Sequence, residues 1–303
     1  MKQIIVIVGP TGVGKTKMGI ALAKEYNGEI ISGDSMQIYR GMNIGTAKAS
    51  VAQREGIFHH LIDIKDPQES YSVMEFQKDV RSCIDTIWKQ HKVPIIVGGT
   101  GLYIKAALYD YSFEEMSQSN HTFHTHDNAQ LYEYLQQIDP ESAQTLHPNN
   151  RQRVLRAIEI YEATGKKKSD IIANQQHTCL YDVIFIGLTQ DRPILYRTIN
   201  ERVEIMLQQG LEDEVKQLVK QGCNEDMQSM KAIGYKEWFA YFRGMQTKEQ
   251  TKELIQNHSR KYAKRQYTWF RNQLPVQWYT ISEETFCTTK QHIIDAIEKK
   301  DNL

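Results

Sequence analysis

The stretch GPTGVGKT, residues 9–16, fits the spacing G-x-x-x-x-G-K-[ST] and is suited to holding phosphate. Gly9, Gly12 and Gly14 let backbone N–H groups turn inward around an anion, and Pro10, Thr11 and Val13 complete the loop. Lys15 reaches the phosphate oxygens, and the Thr16 hydroxyl is placed to ligate Mg²⁺. A phosphate site follows, but not whose phosphate: loops of this kind are typical of ATP- and other nucleotide-binding proteins, and the motif alone does not single out ATP.

Two further features qualify the chemistry. The apolar run VPIIV, residues 93–97, ends in Gly98-Gly-Thr-Gly101 where a Walker B strand would end in aspartate. The earlier run Glu29–Ser32 leads instead into Gly33-Asp34-Ser35. Asp34 facing the cradle could ligate a metal, serve as a general base or cap a helix, and spacing leaves these three open.

Such residues need elements to position them. Gln3–Val8 reads as a strand before the loop and Lys15–Tyr26 as a helix after it. Strands are expected at 29–32, 60–64 and 93–97, with helices from Ser72, which opens a capping box with Glu75, and over 100–108. This rhythm predicts an α/β fold, a P-loop NTPase-like parallel sheet flanked by helices, whose loops 9–16, 33–48 and 98–101 converge at the carboxyl edge. Helices at 131–138 and 150–164 break the rhythm and predict a helical insertion over 110–181. The core then comprises 1–109 and 182–303: a strand at 182–188, helices to 274 and an edge strand near 276–281.

At 303 residues, 40% hydrophobic and 24% charged, the composition is that of a soluble globular protein. No apolar run approaches the ~20 residues of a membrane helix, and the first strand, ended by Gly9-Pro10, does not read as a signal peptide. Cys83, Cys179, Cys223 and Cys287 are widely spaced and read as reduced thiols. The HTFHTH stretch, 121–126, reads as a solvated coil rather than a metal site.

Net charge is zero, but charge is segregated. No Lys or Arg lies between Lys105 and Arg151, whereas RQRVLRAIEIYEATGKKK, 151–168, carries six basic residues against two acidic. HSRKYAKRQYTWFR, 258–271, has five basic residues, four aromatics and no acid. On a helix over 251–273, Arg260, Lys264, Tyr267 and Arg271 form a stripe opposite Ile255, Tyr262, Trp269 and Phe270. A basic stripe with a tyrosine able to stack on a base suggests nucleic acid.

The chain resembles the bacterial tRNA dimethylallyltransferases, the IPP transferase family, in GPTGVGKT (9–16), GDSMQIYRGMNIGTAK (33–48), HHLIDI (59–64), IIVGGTGLY (95–103), HPNNRQRVLRAIEIYEATGK (147–166), DRPILYRTINERVEIMLQQGLEDEV (191–215), KAIGYKE (231–237) and YAKRQYTWFR (262–271). It departs at about 112–130, where relatives commonly carry a longer, more charged helical piece. The resemblance implies that the loop holds dimethylallyl diphosphate and that the prenyl group passes to the exocyclic N6 of the adenosine beside the tRNA anticodon, flipped out of its stack. It implies Asp34 as base; Lys15, Thr16 with Mg²⁺, and Arg197 or Arg202 on the leaving diphosphate; and Ser35, Met36, Gln37 and Thr100 around the acceptor. Gln37 would read the adenine edge. The anticodon stem-loop would be gripped by Gln152, Arg153, Val154, Leu155 and Arg156, by Lys231, Tyr235 and Lys236, and by Lys264, Arg265 and Arg271. A cytoplasmic monomer is expected. The rivals are a prenyltransferase acting on free adenylate, a small P-loop kinase and a non-catalytic nucleotide-gated RNA-binding protein.

Overall fold

The computed structural model describes residues 2–113, 123 and 125–301. Two compact units emerge: residues 1–108 with 181–303, and residues 109–180.

The first unit is built on a six-stranded sheet of β1 (Gln3–Val8), β2 (Gly28–Gly33), β3 (His59–His60), β4 (Val93–Gly98), β5 (Asp182–Thr189) and β6 (Gln277–Thr280), in the order β3-β2-β4-β1-β5-β6. Every pairing is parallel. β1 and β2 are buried at every position; in β1 this shows as the unbroken apolar run Ile4–Val8, whereas β2 buries Glu29 and Ser32 beside Ile30 and Ile31. Successive side chains still point to opposite faces. Ile5 and Ile7 enter a core with Met18 and Leu22 of α1 (Lys15–Glu25) and Ile293, Ile294 and Ile297 of α12 (Phe286–Asp301). On β2 and β4 packs α2 (Val73–Lys89), which buries Phe76, Val80, Ile84 and Ile87 at helical spacing. Its predicted capping box is present: Ser72 Oγ accepts from Glu75 N–H and the Glu75 carboxylate accepts from Ser72 N–H.

The remaining elements of this unit lie near the carboxyl edge. They are α3 (Gly101–Leu108), α8 (Arg192–Gln208), α9 (Leu211–Lys220), α10 (Trp238–Phe242) and α11 (Lys248–Gln273). α8 and α11 pack together, and α11 also meets α3. α11 begins a turn earlier than its apolar pattern indicated, because Thr247 and Gln250 form a second capping box.

The strand expected over 60–64 is only two residues long. Leu61 and Asp63 adopt positive φ (59° and 58°), which breaks the extended run, and Ile64 and Lys65 donate back to the Ile38 carbonyl. HLIDI thus supports the 33–48 loop instead of extending the sheet.

The second unit contains α4 (Asn128–Ile138), α5 (Pro140–Thr145), α6 (Arg151–Thr164) and α7 (Lys168–Ala173). Leu131, Leu135, Ala143, Val154, Ala157 and Ile158 form its core. Gly165 ends α6 at φ 68°, as its type indicated. Of the HTFHTH stretch, residues 121, 122 and 124 lie outside the described residues, while Phe123 packs against the core of this unit.

At the carboxyl edge β2 and β4 come unusually close. Gly33 pairs with Gly98, and a Cβ on Gly98 would lie 2.2 Å from the Gly33 carbonyl oxygen. Backbone atoms cannot yield as a flexible side chain does. Gly98→Ala is therefore expected to destabilise the protein by about 2–4 kcal/mol, read as a lower urea midpoint with unchanged m-value.

Candidate active site

The loop from Gly9 to Gly14 leaves β1 and delivers Lys15 as the first residue of α1. Gly9 is fixed by crowding: at φ 145° a Cβ would meet the Leu188 carbonyl at 2.5 Å. Gly12 and Gly14 take φ 85° and 95°. Pro10 and Val13 are buried and shape the loop from beneath. Thr11, Gly12, Gly14, Lys15 and Thr16 line a cavity of about 390 Å³, closed by Asp34, Gln37 and Thr46 from the second loop, Gly98 and Gly99 from the third, and Arg202 from α8. The three glycine-bearing loops therefore meet around one space at a helix N-terminus, the arrangement that favours a polyanion.

A second cavity of about 330 Å³ adjoins it. Thr11, Asp34, Thr46 and Arg202 line both. Its other walls are aliphatic (Ile199, Val203, Met206, Ile233 and Ile255), with Ser35, Met36 and Tyr262 beside Asp34 and the cations Lys231, Lys236 and Arg265 at its lining. Asp34 Oδ1 accepts from Met36 N–H at 2.8 Å; among the described residues, Oδ2 has no hydrogen bond from the protein. Thr100 Oγ1 accepts from Ser35 N–H at 3.2 Å and lies 3.3 Å from Ser35 Oγ, so it steadies the residue after Asp34.

The electrostatics of the cavity suit an anion. Burial, and then the adjacent Arg202 guanidinium, push the Lys15 ammonium down to about 7, against the opposing pull of Asp34. Burial also lowers Arg202, again opposed by Asp34. Lys15 Nζ donates to the Pro10 carbonyl at 2.7 Å, and Arg202 to Thr11 Oγ1 at 3.3 Å. Two desolvated cations thus share one carboxylate, and a diphosphate would relieve their repulsion.

The structure separates the two arginines. Arg202 faces the cavities, whereas Arg197 is exposed and lines neither. At ~100° per residue they lie about 140° apart on α8, so one side of the helix cannot present both. Arg202 flanks the buried stripe Leu195, Ile199 and Val203.

Other expected residues take different positions. Gln37 lines the phosphate cavity only, and its carboxamide donates to the Thr46 carbonyl and accepts from Ser32 Oγ, so much of its capacity to read a base is used on the loop. Tyr235 is fully buried, with its hydroxyl on Glu214, and cannot touch a macromolecule from there. Val154 is fully buried and Leu155 half-buried in the second unit, while Gln152, Arg153 and Arg156 are exposed. Burial, then Arg153 and Arg156, depress Lys168, so these cations lie near one another.

The basic stripe of α11 is narrower than the wheel indicated. Tyr267 Oη bonds with Thr189 Oγ1 and accepts from Gln190 N–H, and its ring packs on Trp278, so it is not free to stack on a base. Arg260 donates to Asn200 Oδ1. Lys264, Arg265 and Arg271 remain exposed. Tyr262 belongs to the site rather than the core: its hydroxyl lies against Thr100 and Gln266, and burial with the Asp34 charge raises it to about 12. Sequence reasoning also missed Gln266, whose Oε1 accepts from Thr11 N–H at 2.9 Å and whose Nε2 donates to the Gly99 carbonyl at 3.1 Å. It couples two of the three loops. Its position between buried Ala263 and Phe270 could have flagged it as a buried amide.

The sheet and loop define a P-loop NTPase-like protein whose phosphate cavity opens onto a carboxylate-bearing second cavity. A family model described as IPP transferase matches residues 37–273. The tRNA dimethylallyltransferase of Anoxybacillus flavithermus is 51% identical over 303 residues, covering 99% of this chain and 97% of that protein. A solved tRNA delta(2)-isopentenylpyrophosphate transferase from Staphylococcus epidermidis is 47% identical, with TM-score 0.72 over 99% of this chain and 98% of that one. A eukaryotic dimethylallyltransferase, solved in snapshots described as acting on tRNA, is 30% identical with TM-score 0.87, covering 100% of this chain and 80% of that one. The chain belongs to the IPP transferase family.

No helix among the described residues is long and apolar enough to cross a membrane. Among them, too, no group of three or more His, Cys, Asp or Glu side chains is arranged to hold a metal. A Mg²⁺ at Thr16 would therefore rely on that hydroxyl, water and substrate phosphate, a coordination Mg²⁺ commonly adopts.

Because burial and Arg202 hold the Lys15 ammonium down to about 7, a diphosphate entering the cavity at pH 8 would have to recharge it. Pyrophosphate binding at pH 8 should take up about one proton more in the wild type than in Lys15→Met, and the difference should vanish below pH 6. Calorimetry in buffers of different ionisation enthalpy measures it.

Proposed function

We propose that this protein is a prenyltransferase that moves the dimethylallyl group of dimethylallyl diphosphate to the exocyclic N6 of the adenosine 3′-adjacent to the anticodon in tRNA. The observation that carries this reading is Asp34 in the wall common to the two cavities, beside Lys15 and Arg202. The diphosphate occupies the glycine-lined cavity; the adenine enters the second cavity, whose lining includes Lys231, Lys236 and Arg265. The reacting carbon then lies between them, next to the Asp34 carboxylate.

An adenine N6 amine is a weak nucleophile because its lone pair is delocalised into the ring. As its nitrogen forms the bond to the allylic carbon, the carbon–oxygen bond to diphosphate breaks and the N6 proton passes to Asp34 Oδ2. Negative charge grows on the leaving oxygen, where Lys15, Arg202 and the loop N–H groups stabilise it. Mg²⁺ at Thr16, when bound, would neutralise further charge on the diphosphate. Ser35, Met36, Thr100 and Tyr262 shape the acceptor side. No water needs activating, which accords with a β4 that ends in glycine rather than the Walker B aspartate.

The tRNA must present a flipped base. Lys231, Lys236, Lys264, Arg265 and Arg271, with Gln152, Arg153 and Arg156 of the second unit, are exposed and able to meet phosphates of the anticodon stem-loop.

Labelled dimethylallyl diphosphate, Mg²⁺ and unmodified tRNA should yield labelled RNA without ATP, and Lys15→Ala should lower turnover by at least ~10²-fold. ATP-dependent phosphorylation with no label in RNA would indicate a kinase; label in free adenylate but not tRNA would indicate the smaller acceptor. Replacing Lys264, Arg265 and Arg271 by Gln should reduce the slope of log K for tRNA against log salt by up to about 2–3 units. An unchanged slope in a folded variant would show a merely solvated face.

A further inference from the structure

The 33–48 loop forms the boundary between the cavities, with Gly45 in one, Ala47 in the other and Thr46 in both. What holds this turn comes from far along the chain. The Glu214 carboxylate, on α9, accepts from three consecutive backbone N–H groups: Asn43 at 2.9 Å and Ile44 at 2.8 Å on Oε2, and Gly45 at 3.2 Å on Oε1. The Tyr235 hydroxyl donates to the same Oε1 at 2.7 Å.

Tyr235 completes the clamp by shape. Its side chain is fully buried, and a Cβ on Gly45 would lie 2.4 Å from its ring, so ring and turn are in van der Waals register. Tyr235 also follows directly on Lys231–Gly234, which line the second cavity. That segment is fixed in turn by the buried Glu237, which accepts from Gly234 N–H at 2.8 Å and bonds His258 Nδ1 at 2.6 Å. Burial and the Glu214 charge hold the Tyr235 hydroxyl well above its ordinary value, so it stays a donor.

We infer that Glu214, braced by Tyr235, is a positioning residue for the transfer reaction: it fixes the Asn43–Thr46 turn so that the diphosphate and the acceptor base are seated in register on either side of Thr46. The inference rests on the reading of the site as a prenyl-transfer centre. A carboxylate suits the task because it offers only acceptors to a row of N–H donors. A carboxamide of the same shape would turn an NH₂ group toward two of them. The turn would loosen without loss of packing, and Thr46 would shift against both substrates.

The test compares Glu214→Gln and Tyr235→Phe with Glu212→Gln, a carboxylate on the same helix that pairs with Lys216 and Lys248 away from the cavities. Steady-state transfer and pyrophosphate binding are measured with each folded protein. A purely structural role would lower the active fraction, and so the apparent kcat, while leaving KM and pyrophosphate affinity unchanged. The inference predicts that Glu214→Gln raises KM for both donor and tRNA and lowers kcat/KM by roughly 10–10²-fold. It predicts weaker pyrophosphate binding in step, with Tyr235→Phe smaller in the same direction and Glu212→Gln unchanged. Unchanged KM values and pyrophosphate affinity in Glu214→Gln would overturn it; if that variant does not fold, unchanged values in Tyr235→Phe would do so. Absence of transfer by the wild type would instead refute the prenyl-transfer reading, while a pyrophosphate affinity that still depends on Glu214 would leave the clamp standing.

Discussion

One carboxylate lies beside two desolvated cations, and the architecture around it maintains that arrangement. Asp34, Lys15 and Arg202 come from the end of β2, the start of α1 and the middle of α8. Burial weakens the charge on both cations and sharpens their mutual repulsion, so the free site is poised for an anion that restores balance. A small displacement of any of the three would leave a buried charge without its counterpart. Close strand ends at Gly33 and Gly98, the Gln266 bridge between Thr11 and Gly99, and the Glu214 clamp on the 43–45 turn all oppose such displacement.

The division into two cavities follows from the same geometry. The phosphate side is made of glycine, hydroxyl and cation; the other side is aliphatic with a cationic lining. A substrate with a charged head and a short apolar tail fits the first and reaches toward the second. A planar base on an anionic strand fits the second from outside. Asp34 belongs to both, so the proposed reaction would have proton removal, bond formation and leaving-group stabilisation within one side chain's reach.

Much of this was legible in the sequence because it is local. β1, β4 and β5 are largely apolar runs, the phosphate loop is a fixed spacing, and Ser72 with Glu75 encodes its own cap. The 60–64 strand failed because Leu61 and Asp63 adopt positive φ, which hydropathy does not encode. The long-range braces were hidden for a different reason: Thr11 and Gln266 are 255 residues apart, and Ile44 and Glu214 are 170 apart. The basic stripe makes Tyr267 look like a surface aromatic and the family resemblance points Tyr235 at tRNA, whereas packing turns both inward onto polar partners. Arg202 was separable from Arg197 by its angle to Leu195, Ile199 and Val203, but only once those three were known to face the core.

The central claim is that Asp34 removes the N6 proton in the step that forms the carbon–nitrogen bond. The most direct measurement is the single-turnover rate of Asp34→Asn with saturating dimethylallyl diphosphate and tRNA, alongside donor affinity. The variant keeps the shape and the bond from Met36 N–H but loses the proton acceptor. The rate of the chemical step should fall by roughly 10²–10⁴-fold with donor affinity little changed. A collapse of donor affinity with the chemical step intact would make Asp34 a ligand of the metal or diphosphate and contradict the account.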